Sequence, residues 1–300
     1  MNAFVARTCS FAATDSGLQA ERSAYERMCQ AFTPPTPAGV QWSDARWSGV
    51  DVRCYRPPTT ETTRAGPWIL YLHGGGWCVG SLESHRFICA ELTQLCSVPV
   101  VAVDYRLAPE HPFPAALDDC LAVLQAVEQG LAAPALDPQR CLVMGDSAGG
   151  NLAAALCLAL RDRGAAQPLG QLLIYPGLGG AADLPSRQEC ADAPLLSRED
   201  IEVYQNAYVS PESRRHPYAL PLCASDYRAL APAFVAVAQW DPLRDDGECY
   251  HRRLREAGVP STLYPGLGLV HGCLRGRRTV PEVDDLYESM VEWLQLKLQR

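Results

Sequence analysis

Gly145-Asp146-Ser147-Ala148-Gly149-Gly150 stands between an apolar run, Cys141 to Met144, and an alanine-leucine run, Leu152 to Leu160. The first run reads as a buried strand and the second as a helix, which sets Ser147 at a strand-to-helix turn. A serine there occupies a strained turn, and its glycine neighbours at i−2 and i+2 carry no Cβ to meet the adjoining strand and helix. That is the build of a nucleophile elbow. As bare text Gly-x-Ser-x-Gly is weak: 23 glycines and 16 serines in 300 residues give roughly 0.1 chance matches per chain. The strand before it and the helix after it are what give it weight.

Working outward, Trp68-Ile69-Leu70-Tyr71-Leu72 is apolar throughout, as in a strand buried on both faces. It runs into His73-Gly74-Gly75-Gly76-Trp77, where three glycines leave backbone N–H groups unencumbered, which suits an anion site or a plain flexible turn. A helix from about Ser84 to Cys96 and a strand from Val98 to Val103 follow. Three prolines fix the loop after Asp104, whose charged residues (Asp104, Arg106, Glu110, His111) are expected to bridge one another in a structural role. A helix, Ala115 to Glu128, precedes the elbow strand. Further strands read at Gly170 to Tyr175, Ala233 to Ala238 and Val259 to Tyr264, with helices at 246–257 and 280–298.

Before this series, a helix near 17–32 stands apart, and segments near 46–56 and 67–72 read as strands. The threonine-rich stretch Pro58 to Gly66 between them is expected to be a hairpin or a surface loop. The repeated strand-helix order predicts an α/β fold with a mostly parallel central sheet covered by helices on both faces. Residues 176–231 interrupt the rhythm and contain an amphipathic helix near 197–208. With residues 1–45 they are expected to form a helical cap over a catalytic domain spanning 46–300.

Composition narrows the partners. A net charge of −8 argues against tracking nucleic-acid phosphates or a polybasic membrane contact, and the cluster Arg275 to Arg278 reads as solvated surface. Thirteen scattered cysteines, with no C-x-x-C pair and no zinc-ligand spacing, read as reduced, mostly buried side chains. No metal site is expected among them. The N-terminal stretch has no apolar run of signal-peptide or membrane-span length, so a cytoplasmic location is expected.

In open parallel sheets function collects at the carboxyl ends of the strands. Ser147, Asp241, His271 and the glycine run all fall just beyond such ends. Of the six histidines, His271 alone sits in a loop after a strand and beyond both Ser147 and Asp241 in the chain. A serine hydroxyl needs a neutral imidazole to take its proton, and a carboxylate to hold the imidazole's tautomer. Asp245 and Asp246 rival Asp241 for that carboxylate, but they open the next helix, where acidic residues commonly serve as caps. The backbone N–H groups of Ala148, Gly74 and Gly75 are expected to form the oxyanion hole, and Trp77 to line the substrate site. Turnover is expected to rise with pH as the imidazole loses its proton.

His73-Gly74-Gly75-Gly76-Trp77, Asp104-Tyr105-Arg106-Leu107-Ala108-Pro109-Glu110, Gly145-Asp146-Ser147-Ala148-Gly149-Gly150-Asn151, Asp241-Pro242-Leu243-Arg244-Asp245 and His271-Gly272 together resemble the hormone-sensitive-lipase-like (bacterial family IV) carboxylesterases of the α/β-hydrolase fold. The resemblance spans about residues 65 to 300. It implies cofactor-free hydrolysis of short- to medium-chain acyl esters through an acyl-enzyme, beneath a cap. One departure is Cys273, where the family commonly carries an aromatic residue. With Cys78 beside the glycine run, it leads to the expectation that thiol-modifying reagents inhibit.

Two other readings share these residues. A non-catalytic small-molecule receptor, as the plant gibberellin receptors of this fold are, would lack the histidine that is present here as His271. An amidase, lactonase or carbamate hydrolase would use the same three residues, since acyl specificity resides in the pocket. The expected partner is a small acyl ester, with no nucleic acid and no membrane span; a homodimer stays open as the assembly.

Overall fold

A computed structural model describes residues 1–13, 17–58, 65–132 and 136–299. Two helices come first, α1 (Asn2–Cys9) and α2 (Leu18–Phe32), then strands β1 (Gln41–Trp47), β2 (Val50–Arg56) and β3 (Gly66–Leu72). The chain continues through α3 (Arg86–Cys96), β4 (Val100–Asp104), α4 (Ala115–Glu128), β5 (Leu136–Asp146), α5 (Ala148–Asp162) and β6 (Gly170–Ile174). After the short α6 (Pro185–Glu189) and α7 (Arg198–Tyr208) come β7 (Ala233–Ala236), α8 (Arg244–Glu256), β8 (Ser261–Tyr264) and α9 (Pro281–Leu298).

The strands form one sheet in the order β1-β2-β4-β3-β5-β6-β7-β8. β1 and β2 are antiparallel, as are β2 and β4, and every later pairing is parallel. The alternation along β3 shows how the sheet is covered. Trp68, Leu70 and Leu72 face one core with Leu117 and Leu121 of α4, Leu152 and Leu156 of α5 and Tyr250 and Leu254 of α8. Ile69 and Tyr71 face the other, with Ile88 and Leu92 of α3 and Leu286 and Met290 of α9. A side-chain period of 2 with both faces apolar requires helices on both sides, because each such side chain gains about 1.5–3 kcal/mol by leaving water.

The N-terminal half departs from expectation in two places. The strand expected near 46–56 is a hairpin of β1 and β2, turned by Ser48 (φ 47°) and Gly49 (φ 87°); two positive φ values in a row match the twist that two-residue hairpins need. Moreover, β4 lies between β2 and β3, so those two strands do not pair; of the stretch 58–66 expected as a hairpin or a surface loop, residues 59–64 lie outside those described. The loop after β4 holds its shape through outside partners rather than internal pairs. Arg106 binds Asp119 on α4 at 2.8 Å, and Glu110 binds Arg22 on α2 at 2.8 Å. Arg22 also donates to the carbonyls of Cys78 and Ala108, which fastens α2 to the glycine loop.

In the 176–231 segment, Ser197 caps α7 reciprocally with Asp200, a capping box that fixes where the helix starts. Asp245 and Asp246 do not cap α8. Asp246, fully buried, accepts from the backbone of Leu178 and Gly180 and pairs with Arg187 at 2.6 Å, while Asp245 accepts from Ser186 N–H. Arg187 and the Ser186 hydroxyl also donate to the carbonyl of Pro242. The rivals of Asp241 thus tie the inserted segment to the residue that follows it. Among the described residues no helix is long and apolar enough to cross a membrane.

Candidate active site

Ser147 sits between β5 and α5 at φ 53° and ψ −117°, a left-handed conformation held by its N–H bond to Ile174 at 2.8 Å. The flanking glycines follow from the packing. A Cβ on Gly149 would collide with the carbonyl oxygen of Leu72 in β3, and one on Gly145 with the backbone of Gly149. The pattern spaces two glycines around the serine because β3, β5 and α5 meet there with no room for a methyl group.

Asp241 and His271 are brought together by the ends of two neighbouring strands. Trp240 and Val270 form a parallel bridge beyond β7 and β8, so the residues that follow them lie side by side. His271 Nδ1 is 2.7 Å from Asp241 Oδ2, and His271 Nε2 is 2.9 Å from Ser147 Oγ. Asp241 is fully buried, and its other oxygen accepts the N–H of Leu243 at 2.8 Å. The carboxylate is acceptor-only, so Nδ1 carries the ring proton and Nε2 is left to accept from the serine hydroxyl. The ring packs on Tyr175, 4.8 Å between centroids. Cys273 is fully buried where the resemblance led one to expect an aromatic residue.

The expected donors Gly74, Gly75 and Ala148 divide differently. The N–H of Gly74 is already donated to Asp146 Oδ1 at 3.0 Å, and Gly74 does not line the cavity that holds Ser147. Gly75, Gly76 and Ala148 do line it. Of the glycine run, Gly75 and Gly76 rather than Gly74 border the space in front of Ser147. Gly75 (φ 123°) and Gly76 (φ 56°) have backbones that suit glycine, and a Cβ on Gly76 would enter the ring of Tyr204 on α7. Trp77 also lines the cavity, but its ring lies parallel on Tyr208 at 4.4 Å, so much of the indole face is spent holding α7.

Behind the glycine run is a buried polar knot. Burial pushes the Asp146 carboxyl up, but the imidazole of His85 at 3.5 Å and the hydroxyl of Tyr71 at 2.6 Å hold it below the usual carboxylate range. His73 is pushed down to about 3 by burial and by His85 beside it. In the unfolded chain the same imidazole takes a proton near pH 6.5. Between these values the unfolded state binds more protons, so stability falls on acidification, by up to about 1.4 kcal/mol per pH unit for this group. Denaturant titrations between pH 4 and 7 should show a shallower pH slope in His73→Gln than in the wild type; equal slopes would count against a buried neutral His73.

A family model described as the alpha/beta hydrolase fold matches residues 69–275. The chain belongs to that family. It is 38% identical over 282 residues to a carboxylesterase of Mycobacterium tuberculosis, NlhH, covering 91% of this chain and 86% of that one. To an ethyl acetate hydrolase of Pseudomonas putida it is 40% identical over 249 residues, covering 82% and 78%. A crystal structure of an esterase from the bacterial hormone-sensitive lipase family superposes with a TM-score of 0.88 at 28% identity, covering 99% and 97%. These likenesses place the α/β hydrolase among carboxylic ester hydrolases, the class its motifs implied.

The inhibition expected of thiol reagents does not suit this hydrolase. Cys78 and Cys273 are buried, neither lines the cavity, and burial pushes the Cys78 thiol up to about 11 and that of Cys273 higher still. The thiolate is the reactive form, so burial and a raised pKa both disfavour modification of these two thiols at neutral pH. Iodoacetamide is expected to alkylate exposed Cys9 and Cys223 with ester turnover retained. Inhibition that tracks alkylation of Cys78 or Cys273 by peptide mass would overturn this.

Several cavity residues had no signal in the sequence. Tyr25 of α2, Leu196, Ile201 and Tyr204 near or on α7, Leu243 and Arg275 complete the wall around Ser147, and the cavity measures about 110 Å3 and opens to solvent. Ile201 and Tyr204 belong to a visible helical stripe, but a stripe does not say which cavity it faces.

Proposed function

We propose that this hydrolase is a serine carboxylesterase that cleaves short- to medium-chain acyl esters through an acyl-enzyme. The observation that carries the proposal is the unbroken line from Ser147 Oγ through both nitrogens of His271 to Asp241, 2.9 and 2.7 Å. In this reading Ser147 Oγ attacks the ester carbonyl as its proton passes to His271 Nε2, and Asp241 stabilises the imidazolium. The carbonyl oxygen, now negative, takes N–H bonds from Gly75, Gly76 and Ala148, each such donor lowering the barrier by on the order of 3 kcal/mol. Collapse breaks the ester C–O bond, and the departing alkoxide takes the proton from Nε2. Water then gives a proton to the same nitrogen and attacks the acyl carbon; Ser147 leaves as the hydroxyl and the acid is released.

α2 and the 176–231 segment serve as the cap in this reading, since Tyr25, Leu196, Ile201 and Tyr204 close the cavity over Ser147. Trp77 supports the cap through Tyr208 rather than gripping substrate with its face. The apolar side chains of Leu195, Leu196, Ile201 and Leu243 in the wall suit an acyl chain. The names of the relatives favour an ester over an amide, a lactone or a receptor's ligand. Thirteen unpaired cysteines support a reducing, cytoplasmic setting. An uncharged alkyl phosphonate ester of 4-nitrophenol tests the whole reading. It is expected to add its mass to the peptide holding Ser147 while hydrolysis of 4-nitrophenyl butyrate disappears in step; labelling elsewhere, or none, would refute it.

A further inference from the structure

Arg275 is the odd charge in this molecule. Arg53 pairs with Asp44 and Glu83, Arg187 with Asp246, Arg244 with Glu189, and Arg277 with Glu91 and Asp284, while half-buried Arg140 and Arg253 donate to backbone carbonyls. Arg275 lines the cavity of Ser147 and His271, its Nε is buried without a hydrogen-bond partner, and among the described residues it has no ion pair. Burying a cation unpaired is costly, so a site that keeps one calls for an anion to meet it.

Its neighbours do not supply that anion. The Arg275 guanidinium lies 5.8 Å from the ring centroid of Tyr25, and Tyr25 and Tyr175 are pushed well up by burial, so both are neutral hydroxyls. Cys29 is a thiol, pushed up to about 11. Asp146 is the other ionised group of the lining besides the catalytic line; its Oδ1 is engaged by Tyr71, Gly74 and His85, and it acts on Arg275 only from beyond ion-pair distance. Local backbone sets the position. Gly272, immediately after His271, has φ 66°, and a Cβ there would lie 2.8 Å from Arg275 Nη2. The guanidinium therefore folds back over the histidine loop, against Gly272. Apart from these groups the wall is largely apolar, with Leu195, Leu196, Ile201 and Leu243.

We propose that Arg275 determines specificity, and that the preferred substrates of this esterase carry a carboxylate that pairs with its guanidinium while the ester carbonyl meets Ser147. The inference rests on the serine-esterase reading above. A planar guanidinium offers parallel N–H donors that match a carboxylate in a two-point contact, and the largely apolar wall around it strengthens the pair. The carboxylate can stand on the acyl chain or on the alcohol, and two substrate pairs separate these sources. One is 4-nitrophenyl hydrogen adipate against its terminal carboxamide; the other is 4-acetoxybenzoate against 4-acetoxybenzamide. Within each pair the members differ in charge but little in shape.

The quantity read is the ratio of kcat/KM for the anionic member over the neutral one, which cancels any loss of folded protein. In the wild type the ratio is expected above one for at least one pair, identifying the side that bears the carboxylate. Arg275→Met should lower that ratio about 100-fold, the scale of losing one partner of a desolvated charge pair. Arg275→Lys should recover part of it, and KM for the anionic ester should carry most of the change. A ratio at or below one in both pairs, unmoved by Arg275→Met, would overturn the inference while hydrolysis of the neutral esters and labelling of Ser147 left the esterase standing. Failure of all four esters, with no label at Ser147, would strike the esterase reading itself and this inference with it.

Discussion

Replacing Ser147 with alanine is expected to lower kcat on 4-nitrophenyl butyrate by up to about six orders of magnitude, because residues of such a line act as a unit. The structure isolates the effect. The hydroxyl of Ser147 bonds to His271 Nε2, whereas the strained turn is held by the backbone, through the N–H bond to Ile174 and the close approach of Gly149 to Leu72. Alanine at φ 53° bears the same strain as serine, so the thermal unfolding midpoint should be nearly unchanged. KM should also move little, since the lost group acts on the transition state rather than on the bound ester. About 10³-fold acceleration over water should survive from the N–H donors and the cavity alone. A variant that keeps near-normal turnover would remove Ser147 from the nucleophile's role and the acyl-enzyme with it.

What the sequence disclosed about this fold divides along the range of the forces involved. The elbow, the glycine run and the loops bearing Asp241 and His271 announced themselves because each is a local backbone demand beside an apolar run: a positive φ, a missing Cβ, a turn at a strand's end. The alternating rhythm of β3 to β8 was legible for the same reason. β1 was not, because an edge strand with Ser43, Asp44 and Arg46 on view lacks the apolar pattern of a buried one. Partner choices across the chain were invisible as well. Nothing near Gly74 says that its N–H is spent on Asp146, or that Asp245 and Asp246 reach back to 178–186 instead of capping α8. Arg275 is the sharpest case. In sequence it belongs to a basic cluster that reads as solvated, yet Arg277 and Arg278 bind Glu91 on α3 while Arg275 turns alone into the cavity.

Asp241→Asn is expected to cost about 10⁴ in kcat with the fold intact, while Asp245→Asn costs little. The reason lies in which way the new amide must face. Asp241 Oδ1 accepts the N–H of Leu243 and Oδ2 accepts from His271 Nδ1. An asparagine has one acceptor oxygen, and the Leu243 N–H, a buried donor, cannot be satisfied by an amide nitrogen. The oxygen therefore stays on Leu243 and the NH2 group turns to His271. Facing a donor, Nδ1 must become the acceptor, so the ring proton moves to Nε2, where it blocks the nitrogen that has to take the serine's proton. At Asp245 an asparagine oxygen can still accept from Ser186 N–H, so the tie to 186 persists and the imidazole is untouched. Turnover of a neutral ester by the two variants, with a circular dichroism melt of each, decides between the carboxylates. Should Asp245→Asn prove the crippled variant and Asp241→Asn the active one, the orienting role would have to leave Asp241.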